Sequence, residues 1–120
     1  MVERIGVEAL RSMLSGHVKE DVTCVIKFYS SGCPYCDFLK PDYESISEQY
    51  DDIHFFALNI DDGYEAVQEM VPINGVPTIL LIETGSRTKV TILEDPESPH
   101  PEKWYYFKYI KNFIDKETKR

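Results

Sequence analysis

A chain of 120 residues has room for one domain with a core of its own, and at 42% apolar and 28% charged it is neither a disordered segment nor a membrane protein. Thirteen Lys and Arg against 21 Asp and Glu leave a formal charge of −8, which repels phosphate backbones and anionic lipid and argues against nucleic acid or membrane as the main partner. Three cysteines are too few for a disulfide framework, and the uninterrupted apolar runs reach only four residues, where a membrane span needs about 18.

Val2 to Ile5 reads as a short strand, and Val7 to Leu14 as a helix with Val7, Leu10 and Leu14 on one face and Gly16 as its stop. No apolar stretch of about 7–15 residues follows a basic start, so no secretory signal is expected; a reducing, cytoplasmic setting is. Val22 to Tyr29 is apolar on both faces, which predicts a central strand covered on both sides. Ser30, Ser31 and Gly32 break it. A helix is expected from Cys33 to about Tyr50, with the stripe Leu39, Tyr43, Ile46 and Tyr50 and with Pro41 inside it. Ile53 to Ile60 reads as a strand, and Asp61, Asp62 and Gly63 turn the chain into a short helix ending near Met70. After the turn cluster Pro72, Asn74, Gly75 and Pro77, the runs Thr78–Glu83 and Thr88–Leu93 read as a hairpin around Gly85. A proline-rich loop, Asp95 to Pro101, precedes a last helix expected from about Glu102 to Lys116, with Trp104, Phe107, Ile110 and Ile114 buried. This order predicts one α/β domain over residues 1–120, with a mixed sheet of about five strands flanked by about four helices.

Cys33 and Cys36 carry the chemistry. With Cys33 as N-cap, Pro34 takes the first helical position, where its missing N–H costs nothing. The free N–H groups and the positive end of the helix dipole then face the Cys33 sulfur, and cysteines so placed fall to a pKa of roughly 3.5–7.5. A bridge between them closes a very small loop, constrains the unfolded chain little, and suits exchange more than stapling. Cys33 is the expected nucleophile and Cys36, one turn inside, the resolving thiol. A zinc site needs four ligands, and no second C-x-x-C or paired histidines accompany the motif; His17, His54 and His100 are scattered. Cys24, in mid-strand, is read as a buried, inert small hydrophobe.

The ordered set of strand, Cys33-Pro34-Tyr35-Cys36, Pro41 and Gly75-Val76-Pro77-Thr78 resembles the thioredoxin family over nearly the whole chain. Thioredoxin is itself a type example of the lowered cysteine pKa and of the dithiol redox couple. The resemblance implies a thioredoxin fold, a redox-active disulfide and electron transport as a thiol–disulfide oxidoreductase. It also implies a cis Val76–Pro77 bond beside Cys33, with the backbone of Val76 pairing with an extended substrate. Gly32, Pro34, Tyr35, Val76 and Pro77 are thus the expected substrate contacts. The partners implied are protein disulfides, with a reductase or glutathione for recycling; no cofactor and no metal are implied, and a monomer is expected.

Several positions depart from the family. Gly32 stands where thioredoxins usually carry Trp, which implies a smaller, more mobile substrate face. Lys27 matches the buried acidic residue and Ala57 its lysine, while Asp37 stands where a basic residue is common. Lys27 is a candidate for tuning the thiol pKa, with Asp61 a possible charge partner; alternatively its amine snorkels to solvent. The Pro-Tyr dipeptide resembles glutaredoxins, so reduction of glutathione mixed disulfides is an alternative activity, although no Gly-Gly pair follows Leu93. A further alternative is a binding subunit of a larger complex, its cysteines incidental. Tyr105, Tyr106 and Tyr109 are read as half-exposed helix tyrosines.

Overall fold

Period-2 alternation on the strands and helical periodicity between them sort the apolar residues into two layers around one sheet. A computed structural model describes residues 1–120. In chain order the elements are β1 (Val2–Ile5), α1 (Val7–Leu14), β2 (Thr23–Tyr29), α2 (Pro34–Ser47), β3 (Ile53–Asn59), a 3-10 turn (Ile60–Asp62), α3 (Tyr64–Met70), β4 (Thr78–Glu83), β5 (Lys89–Ile92) and α4 (Phe107–Glu117). The five strands form one sheet in the order β1-β3-β2-β4-β5. β1, β3 and β2 are parallel, and β4 and β5 run antiparallel to their neighbours. This is the mixed five-stranded α/β sheet expected from the element order, and the arrangement that the resemblance implies.

Alternate residues of the two central strands feed opposite layers, as the pleat dictates. Cys24, Ile26 and Phe28 of β2, with Leu80 and Ile82 of β4, pack with Leu10 and Met13 of α1 and Val67 of α3. Val25 of β2, with Ile79 and Leu81, packs with Leu39, Tyr43 and Ile46 of α2 and with Ile110 and Ile114 of α4. Each buried aliphatic side chain contributes roughly 1.5–3 kcal/mol.

Tyr43 is fully buried, and its hydroxyl lies 2.7 Å from the Phe56 carbonyl and 3.0 Å from that of Val25. The only tyrosine of the α2 interior is thus bonded to the backbone of two strands, which locks the helix onto the sheet. At the hairpin, Gly85 has φ +136°, and a Cβ there would lie 2.1 Å from the Asp21 carboxylate. The positive φ favours glycine there, whereas the exposed Asp21 carboxylate can swing away from a Cβ.

Three expected boundaries move. α2 ends at Ser47, so Tyr50 enters the core from the following turn, with its hydroxyl donating to Asp115 of α4 at 2.6 Å. Ile60 belongs to the 3-10 turn and not to β3. α4 starts at Phe107, five residues later than its aromatic spacing predicts. Its N-cap, Tyr106, is extended (φ −83°, ψ 149°), and the chain before it is a non-helical strap. Within that strap Tyr105 is only 3% exposed, which corrects its reading as a half-exposed helix residue. No helix is long and apolar enough to cross a membrane.

Candidate active site

The parallel strands β2 and β3 end at the same edge of the sheet, and β4 begins there. Phe28, one residue from the end of β2, pairs with Thr78, the first residue of β4. The chain leaving β2 toward Cys33 and the chain arriving through Gly75, Val76 and Pro77 therefore meet at one edge. Val76–Pro77 is cis, and the Thr78 hydroxyl donates to the Gly75 carbonyl at 2.6 Å, closing the turn. Pro77 is buried and Val76 half-buried.

The segment before the cysteines is tied down from the end of β3. Ser31 N–H donates to Asp61 Oδ2 at 2.9 Å, and Asp61 N–H to Asn59 Oδ1 at 2.9 Å. Asp61, considered above as a charge partner for Lys27, is thus engaged with the loop backbone. Gly32 follows with φ +76° and open space around its missing Cβ. Backbone conformation, not crowding, is what favours glycine at this position.

Cys33 is the N-cap of α2 and Pro34 its first residue. The Cys33 sulfur accepts from the Cys36 N–H at 3.2 Å, so it sits on the unpaired donors of the helix start. Cys33 and Cys36 are joined in a disulfide, their Cα atoms 5.2 Å apart. Cys33 is half-buried and Cys36 is 3% exposed. Only the first sulfur is open to a partner. Cys24 is a free thiol buried in the opposite layer, and burial pushes it up to about 11.

Lys27 lies in the α2 layer. In register it pairs with Ala57 on β3 and Ile79 on β4, and it is 5% exposed. Its amine stands 5.1 Å from the Tyr43 ring centre and 5.5 Å from that of Tyr29. Burial lowers its pKa; Glu44 opposes that, Lys40 adds to it, and Asp37 opposes it. All three of these neighbours are on α2.

Two contacts escaped sequence reasoning. Tyr35, inside the motif, packs on Trp104 of the strap with ring centres 5.3 Å apart and planes at 60°. One residue earlier, Lys103 pairs with Asp42 of α2 at 3.5 Å. The aromatic density at 104–107 was the available signal, and it mimicked a helical stripe.

Residues 8–98 match the family profile described as Thioredoxin. The chain belongs to the thioredoxin family. Among its thioredoxin relatives, Thioredoxin-1 of Saccharomyces cerevisiae is 28% identical over 79 residues, which is 66% of this chain and 76% of the yeast protein. Thioredoxin-2, mitochondrial, of Schizosaccharomyces pombe is 35% identical over 71 residues, 57% of this chain and half of that protein. The fold superposes on chloroplastic thioredoxin z with a TM-score of 0.70 at 20% identity, over 99% of this chain and 96% of the other. The reduced Schistosoma mansoni thioredoxin pre-protein gives 0.68 at 21% identity, over 96% of each chain. The chain is accordingly a thioredoxin-type thiol–disulfide oxidoreductase whose C-x-x-C disulfide is Cys33–Cys36. Membership of the family implies protein disulfides as substrates and a reductase as partner.

Proposed function

We propose that residues 1–120 act as one monomeric thioredoxin domain that reduces protein disulfides in a reducing, cytoplasm-like compartment. The observation that carries the reading is the asymmetry of the pair: Cys33 is accessible at the helix start with a backbone N–H on its sulfur, and Cys36 is buried behind it. In the dithiol state Cys33 is the thiolate, held by the donors of α2. It attacks one sulfur of the substrate disulfide; that S–S bond breaks, a mixed disulfide forms, and the first substrate thiolate leaves and takes up a proton. Cys36 then loses its proton and attacks the Cys33 sulfur. The second substrate thiol departs, and the Cys33–Cys36 disulfide is left. Two electrons and two protons pass to the substrate, and an external reductase or glutathione restores the dithiol.

Gly32, Pro34, Tyr35, Val76 and Pro77 contact the substrate in this reading; what supports it is that the first three flank Cys33 in the chain and the last two enter β4 at the end of the sheet where β2 leaves toward Cys33. Lys27, beneath α2, tunes the thiols by favouring the thiolate. Trapping tests the order of attack. Cys36→Ser should accumulate a mixed disulfide with an oxidised protein substrate, and Cys33→Ser should not; the reverse pattern would exchange the two roles. A midpoint at or below the cytosolic glutathione poise, roughly −220 to −320 mV, supports a reductase, and one well above it contradicts that direction.

A further inference from the structure

The strap between β5 and α4 reaches the catalytic motif. It is anchored by Tyr105, which is 3% exposed and packs in the α2 layer, with its hydroxyl 3.4 Å from the Leu93 carbonyl. The two residues just before that anchor engage α2: Lys103 meets Asp42, and Trp104 meets Tyr35. Tyr35 and Asp42 are seven residues apart, which is two turns on one helix face. The Trp104 indole N–H points at Asp95 Oδ1 at 3.4 Å, which fixes the ring from its other edge. Trp104 packs against the edge of the α2 and α4 core layer and is only half-buried, which leaves part of its ring open to solvent. Beside it, Phe38 is 46% exposed, one turn along α2 from Tyr35. Gly32, next to Cys33 in the chain, has open space around it. The end of the strap, from residue 99, lies beyond the stretch that matches the family.

We propose that Trp104, held on Tyr35 by the strap, is a specificity-determining residue: it forms an aromatic wall beside Cys33 that takes the apolar side chain flanking the target cysteine of an oxidised protein. The inference rests on the oxidoreductase reading above and names the substrate feature that this site selects. The wall is continuous with the reacting sulfur through Tyr35, two residues from Cys33. It supplies an aromatic surface that Gly32 does not offer. An added contact between aromatic side chains is worth about two- to tenfold in binding.

The test uses two short peptides, each with its cysteine in a mixed disulfide with 2-mercaptoethanol and with either Phe or Gly beside that cysteine. The parent should reduce the Phe peptide with a kcat/KM about two- to tenfold above the Gly peptide, the difference lying in KM. In Trp104→Ala the ratio should fall to near one, and Trp104→Phe should retain most of it. A ratio of one in the parent, or a ratio that survives in Trp104→Ala, overturns the inference. Equal turnover of both peptides leaves the oxidoreductase reading standing, whereas turnover of neither contradicts that reading itself. A second readout needs no change at Trp104, the single tryptophan. Trapping the Phe peptide on Cys36→Ser should shift its fluorescence relative to trapping the Gly peptide, and identical spectra would again overturn the wall.

Discussion

Lys27 puts a base inside the sheet under α2, and its surroundings decide what that does. Its amine rests on the rings of Tyr29 and Tyr43 under the helix that carries the dithiol. An ammonium there favours the thiolate and, with it, the reduced form of the pair. Lys27→Met should raise the Cys33 pKa, and Lys27→Asp should raise it further; a thiol titration that does not move in either variant removes Lys27 from the chemistry. The same lysine has a linked effect on stability. Because burial lowers its pKa in the folded protein, the unfolded chain binds its proton more tightly, so its cost is full at neutral pH and falls as pH rises toward 10.5. Lys27→Met should therefore stabilise the oxidised protein at neutral pH, with a smaller gain as pH rises toward 10.5. Denaturant unfolding of parent and variant at neutral and alkaline pH checks the sign. Cys24 runs the other way. Its neutral thiol contributes stability that is whole below pH 9.0 and is lost as pH rises toward about 11. Gly32→Trp should be destabilising: φ +76° costs a non-glycine residue about 1–3 kcal/mol. A stable Gly32→Trp protein with raised activity would show that the loop is not held in that conformation.

At the scale of elements, the hairpin and α2 are each fastened at one point. Gly85→Ala puts a Cβ on a residue with positive φ, and should cost about 1–3 kcal/mol in unfolding free energy. Tyr43→Phe strips two buried strand carbonyls of their hydroxyl partner and should cost about 1–3 kcal/mol, with no change in fold. An unfolding midpoint that does not move in either case would contradict these packing assignments. The strands and α2 were legible because their signals are local. Val22 to Tyr29 has two apolar faces, the stripe Leu39-Tyr43-Ile46 keeps a helical period, and Cys33-Pro34 is a helix start in its own right. The start of α4 was not. Trp104, Phe107, Ile110 and Ile114 fit a helical period, but residues 102–106 answer to contacts distant in sequence. Once the strap is extended, its side chains alternate, and Tyr105 turns inward between Trp104 and Tyr106. A period of 3.6 predicted the opposite for Trp104 and Tyr105, and the Trp104–Tyr35 contact went unseen for the same reason.

For the molecule as a whole, the two layers separate the three cysteines by function. β2 sends Cys24 into the α1 and α3 layer, away from the edge where α2 begins, and the pair sits at that edge with one sulfur open. Cys33 and Cys36 should thus exchange as a single two-electron couple with a third thiol standing by unreacted. The most direct measurement is a count of alkylated cysteines by mass across a series of glutathione redox ratios, on the native protein and after unfolding. After unfolding, Cys33 and Cys36 should be found available to alkylation together along one two-electron curve; in the native protein accessible Cys33 follows that curve, while buried Cys36 and Cys24 are labelled only after unfolding. Independent titration of Cys33 and Cys36, or labelling of Cys24 in the native oxidised protein, would contradict the account.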